Sequence, residues 1–307
     1  MTAYQFISDH SDRYSVDEIC ECLELSRSGY YEWKRRGPSQ HAQKDESHKT
    51  LIGELHRKAR GRYGHRPIYH HLREDGVSCG RDRTLRLMKE MGIQGRQKRR
   101  FKPMGTDSRH RYGYAPNRLK ELGVPDRCDQ IWVSDTTYLR TDQGWCYLAT
   151  VMDLYSRRIL GWSVSQQNDG QLVRAALHGA ILSRGGRIKK GLIHHSDRGS
   201  TYASHDYTRM LSAHGIIQSM SSKGNCYDNA AMESFFGRYK STRFGLIEFA
   251  GETEARSHVF EYIEVFYNRF RKHSSLGYQS PTNFEEKILP PMGGKGTASL
   301  TACPENN

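Results

Sequence analysis

The sequence has no cysteine framework. Its seven cysteines are an odd number with no paired CxxC spacing, which excludes a disulfide scaffold and argues against a zinc site. They read as reduced thiols of a cytosolic protein. No apolar run approaches the ~20 residues of a membrane helix; the longest is Trp145–Met152, with Thr150 inside it. The opening Met-Thr-Ala-Tyr-Gln lacks the basic start and apolar stretch of a secretory signal. Acidic residues are in deficit, 34 against 47 lysines and arginines. Residues 1–125 hold 26 basic and 16 acidic side chains, a surplus of 10, and residues 126–307 hold 21 and 18, a surplus of 3. A polyanion suits such an N-terminal segment, and nucleic acid is the commonest one in a cytosol. Wholesale disorder is excluded, because 36% hydrophobic and 10% aromatic residues suffice for cores. A chain of 307 residues suits two or three domains of ~100–150 residues each.

The N-terminal part is helical in pattern. Ser15 with Glu18 three residues on is a capping box, and Ile19 and Leu23 make an apolar stripe behind it. After the turn at Leu25-Ser26 a second helix carries Tyr30 and Trp33 beside Lys34, Arg35 and Arg36. Two short helices, the second basic, suggest a helix-turn-helix-type DNA-binding unit over residues 1–45. Gly37-Pro38-Ser39 closes it, and the polar stretch to Ser47 reads as a linker. Residues 46–120 form a second helical, basic unit with its own linker. Leu51, Ile52 and Leu55 mark one helix. Pro67 opens another, stopped by Gly76, and residues 81–91 make a third that carries Arg81, Arg83, Arg86 and Lys89. The run Arg96, Lys98, Arg99, Arg100 and Lys102 has no hydrophobic period and suits tracking of phosphates.

Near residue 128 the pattern becomes α/β. Ile131–Leu139, Trp145–Asp153 and Arg158–Val164 read as strands. A helix at 170–184, a short strand at 191–197, a helix near 204–214, a strand at 216–220, a helix from about Asp228 to Arg243 and a long helix at about 252–271 follow. This predicts a mixed sheet with an antiparallel start, over residues 121–287. The Gly-, Ser- and Thr-rich residues 288–307 read as a disordered tail.

Three carboxylates interrupt apolar patterns, which needs a reason because an unpaired buried carboxylate is costly. Asp135 lies within the first strand, Asp197 ends the short strand, and Glu233 sits beside Met232 and the pair Phe235-Phe236. Taken singly each has an ordinary structural explanation. Together, two strand acids and one helix acid can converge at one end of a sheet. Hard oxygen ligands without a cysteine or tight histidine set point to Mg²⁺ or Mn²⁺. Two such ions ~3.5–4 Å apart serve phosphodiester chemistry.

The segments Trp132–Tyr138 (WVSDTTY), His194–Tyr202 (HHSDRGSTY) and Asn225–Phe236 (NCYDNAAMESFF) resemble those of bacterial insertion-sequence transposases with a DDE, retroviral-integrase-like core, and more narrowly of the OrfB group. The 35 residues between Asp197 and Glu233, and Lys240 seven after Glu233, fit the same group. So do Tyr267-Asn268-Arg269, the His273–Tyr278 stretch with Ser280-Pro281, and Tyr63-Gly-His-Arg-Pro67. The resemblance covers about residues 15–287. It implies an RNase-H-like core in which Asp135, Asp197 and Glu233 hold two Mg²⁺ ions, with Mn²⁺ as a substitute. It implies nicking at the ends of a mobile element, then attack of the exposed 3′-OH on another phosphodiester without a covalent protein–DNA intermediate. Lys240 and Arg238 would contact the terminal DNA backbone. The partners implied are double-stranded DNA, a second copy for synapsis, and an upstream-encoded DNA-binding protein joined by frameshifting. The Met1 start suggests the downstream product alone, acting in the cytoplasm at the nucleoid.

Several other residues bear on the site. His194 and His195 flank Asp197 and suit strand packing and outer hydrogen bonding better than ligation. Asp228 or Asn229 is the expected cap of the Glu233 helix, and Gly224 the source of loop freedom. Tyr202 suits either a base stack or a core. His273, Arg269 and Arg271 are candidates for phosphate contact. Two other functions fit the same pattern: a nuclease of this fold that only hydrolyses, and a DNA-binding regulator with an inert core. Intact Asp135, Asp197 and Glu233 argue against the second.

Overall fold

Ser15 stands between the first two helices and caps the second. The computed structural model describes residues 3–36, 39–95, 113–222, 230–241 and 249–288. The chain divides into two compact units, Met1–Gly95 and Arg96–Asn307.

In the first unit, α1 (Ala3–His10), α2 (Val16–Cys22) and α3 (Arg27–Arg36) enclose a small core of Ile7, Ile19, Cys20 and Tyr30. The expected capping box is present: Glu18 N–H donates to Ser15 Oγ at 3.2 Å, and Ser15 N–H to Glu18 Oε2 at 3.0 Å. Leu23, expected in the buried stripe, is exposed. α1 was not legible, because its sequence AYQFISDH buries a single residue, Ile7.

The stretch read as a linker is instead the first half of a 19-residue helix, α4 (Gln40–Lys58), capped by Ser39. Its polar face has a tertiary partner that the periodicity does not show. Asp45 accepts from Arg83 Nε at 2.7 Å and from Arg86 at 2.8 Å. Both arginines come from α6 (Arg81–Glu90), which packs with α5 (His65–Glu74) against α4. Ile52, Ile68, Leu72, Leu87 and Met88 form the buried interior.

The second unit begins with a short helix, α7 (Leu119–Leu122), and then builds a five-stranded sheet. The strands are β1 (Ile131–Thr141), β2 (Gly144–Asp153), β3 (Ile159–Ser165), β4 (Ile193–Ser196) and β5 (Ile217–Met220), in the order β3-β2-β1-β4-β5. β1–β2 and β2–β3 pair antiparallel; β1–β4 and β4–β5 pair parallel. The mixed sheet with an antiparallel start is therefore as expected.

α8 (Gly170–Ser183) lies against β2 and β3, burying Leu172, Val173, Ala176, Leu177, Ala180 and Ile181. Gly161 permits that approach: a Cβ there would collide with the carbonyl of Ala176 and the amide of Ala180. α9 (Ser200–Ala203) and α10 (His205–Ala213) follow on the same core.

α11 (Ala230–Ser241) packs against β1. α12 (Glu252–Phe260) runs into a π-helical segment, Glu261–Tyr267, so the expected helix to about residue 271 changes its winding midway. The last helix is α13 (Pro281–Ile288). Its buried Glu285 bonds Arg184 at 2.7 and 2.9 Å, Arg158 at 2.7 Å and Ser156 Oγ at 2.6 Å, fastening the C-terminal segment to the sheet. Asn268 does the same at the sheet edge, accepting from Ile159 N–H at 3.0 Å and donating to its carbonyl at 2.9 Å.

Candidate active site

The register of the central strands sets two of the acids. β1 and β4 run parallel with Val133 opposite His195. Asp135 and Asp197 each lie two residues beyond that pair, Asp135 still within β1 and Asp197 just past the C-terminal end of β4. Thr136 N–H donates to Asp135 Oδ1 at 2.7 Å, and Gly199 N–H to Asp197 Oδ1 at 2.9 Å. Each carboxylate is therefore oriented by the backbone just beyond it.

The third acid comes from α11. Met232, Phe235, Phe236 and Tyr239 recur at i, i+3, i+4 and i+7 and are buried. Phe235 meets Tyr267 edge-on at 4.8 Å, and Tyr239 meets Tyr262 at 4.9 Å. With that face seated, Glu233 and Lys240, seven apart, share another face.

The charges of these groups act on Asp135. Burial, then the negative charges of Asp197 and Glu233, push the Asp135 carboxyl up to about 8; the Thr136 amide and the Lys240 ammonium act against this. Burial lowers the Lys240 pKa, and Asp135 partly restores it. Lys240 Nζ rests 4.1 Å from the centroid of the Tyr138 ring, and Tyr138 in turn meets exposed Trp145 edge-on at 5.2 Å.

The two histidines are turned to hydroxyls. His194 Nε2 lies 2.7 Å from Ser134 Oγ and 3.0 Å from Tyr207 OH. His195 lies 2.9 Å from Ser219 Oγ and 3.1 Å from Ser221 Oγ. Burial pushes the His194 pKa down to about 3, so its ring is neutral. Both serve the strand core. Tyr202 is also in the core, its OH 3.1 Å from Thr136 Oγ1.

A set of three carboxylates, with Asp135 raised by burial and then by the charges of Asp197 and Glu233, has the donor chemistry of a hard divalent cation site. Among the described residues, the trio of candidate ligands packed within 4.8 Å of one another is a different one: Cys128, Asp153 and Glu285. Arg184 and Arg158 already neutralise Glu285 there and hold its carboxyl down at about 2. That trio is a structural clasp.

The basic residues separate by role. Lys34, Arg35 and Arg36 are exposed on the last turn of α3. Arg81 is exposed beside Asp82. Arg83 and Arg86 are engaged by Asp45, whose carboxyl they push down to about 2, Arg86 contributing most. Arg238 is exposed and points elsewhere than Lys240, because two residues along a helix is roughly 200° of rotation. Arg99, Arg100, the expected cap at Asp228 or Asn229, Gly224 and the 288–307 tail (apart from Ile288 itself) lie outside the described residues. Asp45 and Tyr138 were missed as contributors. Nothing in the periodicity marks Asp45, and Tyr138 was visible only as part of the first motif.

A mixed sheet with acids after β4 and on β1, and a third on a helix packed against β1, is the RNase-H-like arrangement of an integrase-type polynucleotidyl transferase. The integrase core domain family matches residues 125–226, a second integrase core domain family matches residues 214–281, and an HTH-like domain family matches residues 42–101. The chain is 44% identical over 269 residues to the insertion element IS600 uncharacterized 31 kDa protein of Shigella sonnei, covering 88% of this chain and 98% of that one. It is 36% identical over 288 residues to transposase InsF for insertion sequence IS3A of Escherichia coli (strain K12), covering 93% and 99%. The chain belongs to the insertion-sequence transposases with an integrase-like DDE core. Among solved structures it is similar to a simian T-cell lymphotropic virus intasome in complex with PP2A regulatory subunit B56 gamma. That match has 14% identity and a TM-score of 0.43, over 82% of this chain and 80% of that one. The HTLV-2 integrase catalytic core domain in complex with magnesium matches at 14% identity and a TM-score of 0.40, over 51% and 95%. No helix of the described residues is long and apolar enough to cross a membrane.

Proposed function

We propose that Asp135, Asp197 and Glu233 are the catalytic carboxylates with which this transposase nicks the ends of a mobile element and joins the resulting 3′-OH to another DNA strand. The observation that carries the assignment is the 4.1 Å contact of Lys240 Nζ with the Tyr138 ring, which joins the helix of Glu233 to the strand of Asp135. The three acids would hold two Mg²⁺ ions, or Mn²⁺ in their place. Divalent cations bound there supply a stronger attacking oxygen and stabilise the leaving oxygen of the phosphodiester. The chain's own residues do the rest. The Thr136 and Gly199 amides fix the two strand carboxylates. The aromatic seat of α11 holds Glu233 toward them. Lys240 places a positive charge on the same helix face, where a phosphate of the terminal DNA would meet it.

The exposed Lys34, Arg35, Arg36 and Arg81, together with Arg99 and Arg100, serve DNA contact beyond the core, with the helical unit supplying recognition of the ends. Synapsis of two ends requires at least a dimer. An upstream-encoded DNA-binding protein joined by frameshifting remains part of the proposal, as does action at the nucleoid.

The test is incubation of the purified chain with labelled duplex ends and Mg²⁺ or Mn²⁺, scored for products in which a 3′ end is joined to a second duplex. Joined products support transposition. Hydrolysis without joining returns the nuclease, and binding without either returns the inert regulator.

A further inference from the structure

The β1–β2 hairpin carries a tryptophan that the catalytic reading does not use. Trp145 is the second residue of β2 and is 53% exposed. Cys146 and Leu148, on the other face of the strand, are buried. Tyr147 shares the face of Trp145 and packs against the core cluster under α8 and α10; Trp145, one pleat nearer the turn, is not part of that cluster.

A single exposed aromatic ring is ordinary, but this one ends a chain of contacts. Trp145 meets Tyr138 edge-on at 5.2 Å, and Lys240 Nζ lies 4.1 Å from the centre of the Tyr138 ring. Directly across the hairpin from Trp145 stands Arg140, exposed on β1. The ring is thus joined to two cations, Arg140 by strand pairing and Lys240 through Tyr138. The exposed residues of the turn, Asp142, Gln143 and Gly144, add no large apolar side chain. A flat ring among cations, with little apolar area beside it, is unlike the centre of a protein interface, which is depleted in charge. It matches nucleic acid: bases of any sequence stack on an aromatic face, and cations meet the phosphates that flank them.

We infer that Trp145 is a stacking platform for an unpaired base of the DNA end held at the acids, with Arg140 and Lys240 meeting the phosphates that flank that base. The inference deepens the transposase reading and rests on it, since that reading supplies the DNA. Arg140 is five residues along β1 from Asp135, about 16 Å at the rise of a strand. At about 3.4 Å per nucleotide this is about five nucleotides, so the stacked base belongs to the same DNA end that the acids cut. A ring there holds frayed nucleotides beside the bond to be cleaved.

The experiment compares two labelled oligonucleotide ends of equal charge, one fully paired and one with its outermost pairs mismatched, on the full chain and its Trp145→Ala, Trp145→Phe and Arg140→Gln variants. Trp145→Ala is expected to lower affinity for the mismatched end about ten-fold and to leave the paired end little changed. Trp145→Phe is expected to keep the affinity while losing the quenching of tryptophan emission that the mismatched end causes in the wild type. Arg140→Gln is expected to lower the slope of log affinity against log salt by about 1 on both ends. Thermal unfolding is recorded alongside. Where Trp145→Ala loses stability, the quenching decides: its presence in the wild type and absence in Trp145→Phe support the platform, and its absence in both overturns it. Wild-type affinity of a folded Trp145→Ala for the mismatched end would overturn the platform and leave the transposase reading intact. Equal losses on the two ends would do the same, as would a change in oligomeric state, which assigns the ring to a second copy. Failure of the wild-type chain to bind either end would overturn both.

Discussion

Lys240 Nζ lies 4.1 Å from the centre of the Tyr138 ring. The ring is three residues along β1 from Asp135, and Lys240 is seven residues along α11 from Glu233. The contact therefore ties the strand that carries one acid to the helix that carries another. A half-buried cation–π contact is worth about 1 kcal/mol. Tyr138→Leu is expected to weaken binding of the element's end about five-fold, while Tyr138→Phe, which keeps the ring, stays near wild type. Equal losses in the two variants would place the effect on the hydroxyl and end the positioning account.

The three acids make a sharper prediction. Asp135→Asn, Asp197→Asn and Glu233→Gln keep shape and remove charge. Each should reduce cleavage and joining to background while end binding in a gel-shift assay stays within a few-fold of wild type. Removing negative charge next to phosphates can only help binding electrostatically. A variant that still cleaves would remove that residue from the ligand set.

The clasp around Glu285 predicts a pH dependence of stability. Arg184, Arg158 and Ser156 hold the Glu285 carboxyl at about 2, against an ordinary 4.5. A depressed carboxylate stabilises the fold above its unfolded pKa, and that stability is lost as pH falls from about 4.5 toward 2. Asp153 has the opposite sign. Burial raises it to about 6 from 3.8, so its penalty is complete above pH 6 and disappears as pH falls to about 4. Thermal unfolding should therefore show stability falling steeply below pH 4.5, where the loss at Glu285 adds to the cost, already growing below pH 6.5, of keeping the buried His194 ring neutral. Glu285→Gln should cost about 3–5 kcal/mol at pH 7 by leaving Arg184 under-neutralised, and should flatten the acid limb. A variant with an unchanged acid limb would mean that other groups control it.

The core strands and the acids were legible because they obey local rules. β1, β2 and β3 are apolar, β-branched runs bounded by turns, and Asp135 stands out because it breaks one. Asp197 and Glu233 stand out in the sequence for the same reason. What stayed hidden is tertiary. The first half of α4 is polar, and its helical state rests on Ser39 as a cap and on Asp45 gripping two arginines some 40 residues away. No periodicity encodes such a pair. α13 is fixed through Glu285, which reads as an ordinary surface acid until Arg184 and Arg158 are brought to it. Arg238 stands roughly 200° round α11 from Lys240, a separation that follows from helical rotation alone.

The basic residues of the first unit can now be divided by what holds them. Arg83 is largely buried and bonded to Asp45 and to the His41 carbonyl at 3.3 Å. Arg35 is exposed on the last turn of α3. Arg83→Gln breaks a charge-assisted bond between partly buried groups, which costs about 1–3 kcal/mol, and should lower the thermal midpoint. Its effect on DNA affinity should appear only through that loss of structure. Arg35→Gln should leave the midpoint unchanged, weaken end binding uniformly across sequences and reduce the salt slope by about 1. The two variants thus exchange readouts: one moves stability, the other moves salt dependence. If Arg83→Gln instead lowered the salt slope at full stability, Asp45 would be a partner that releases Arg83 to DNA, and the division between structural and phosphate-facing arginines would have to be redrawn.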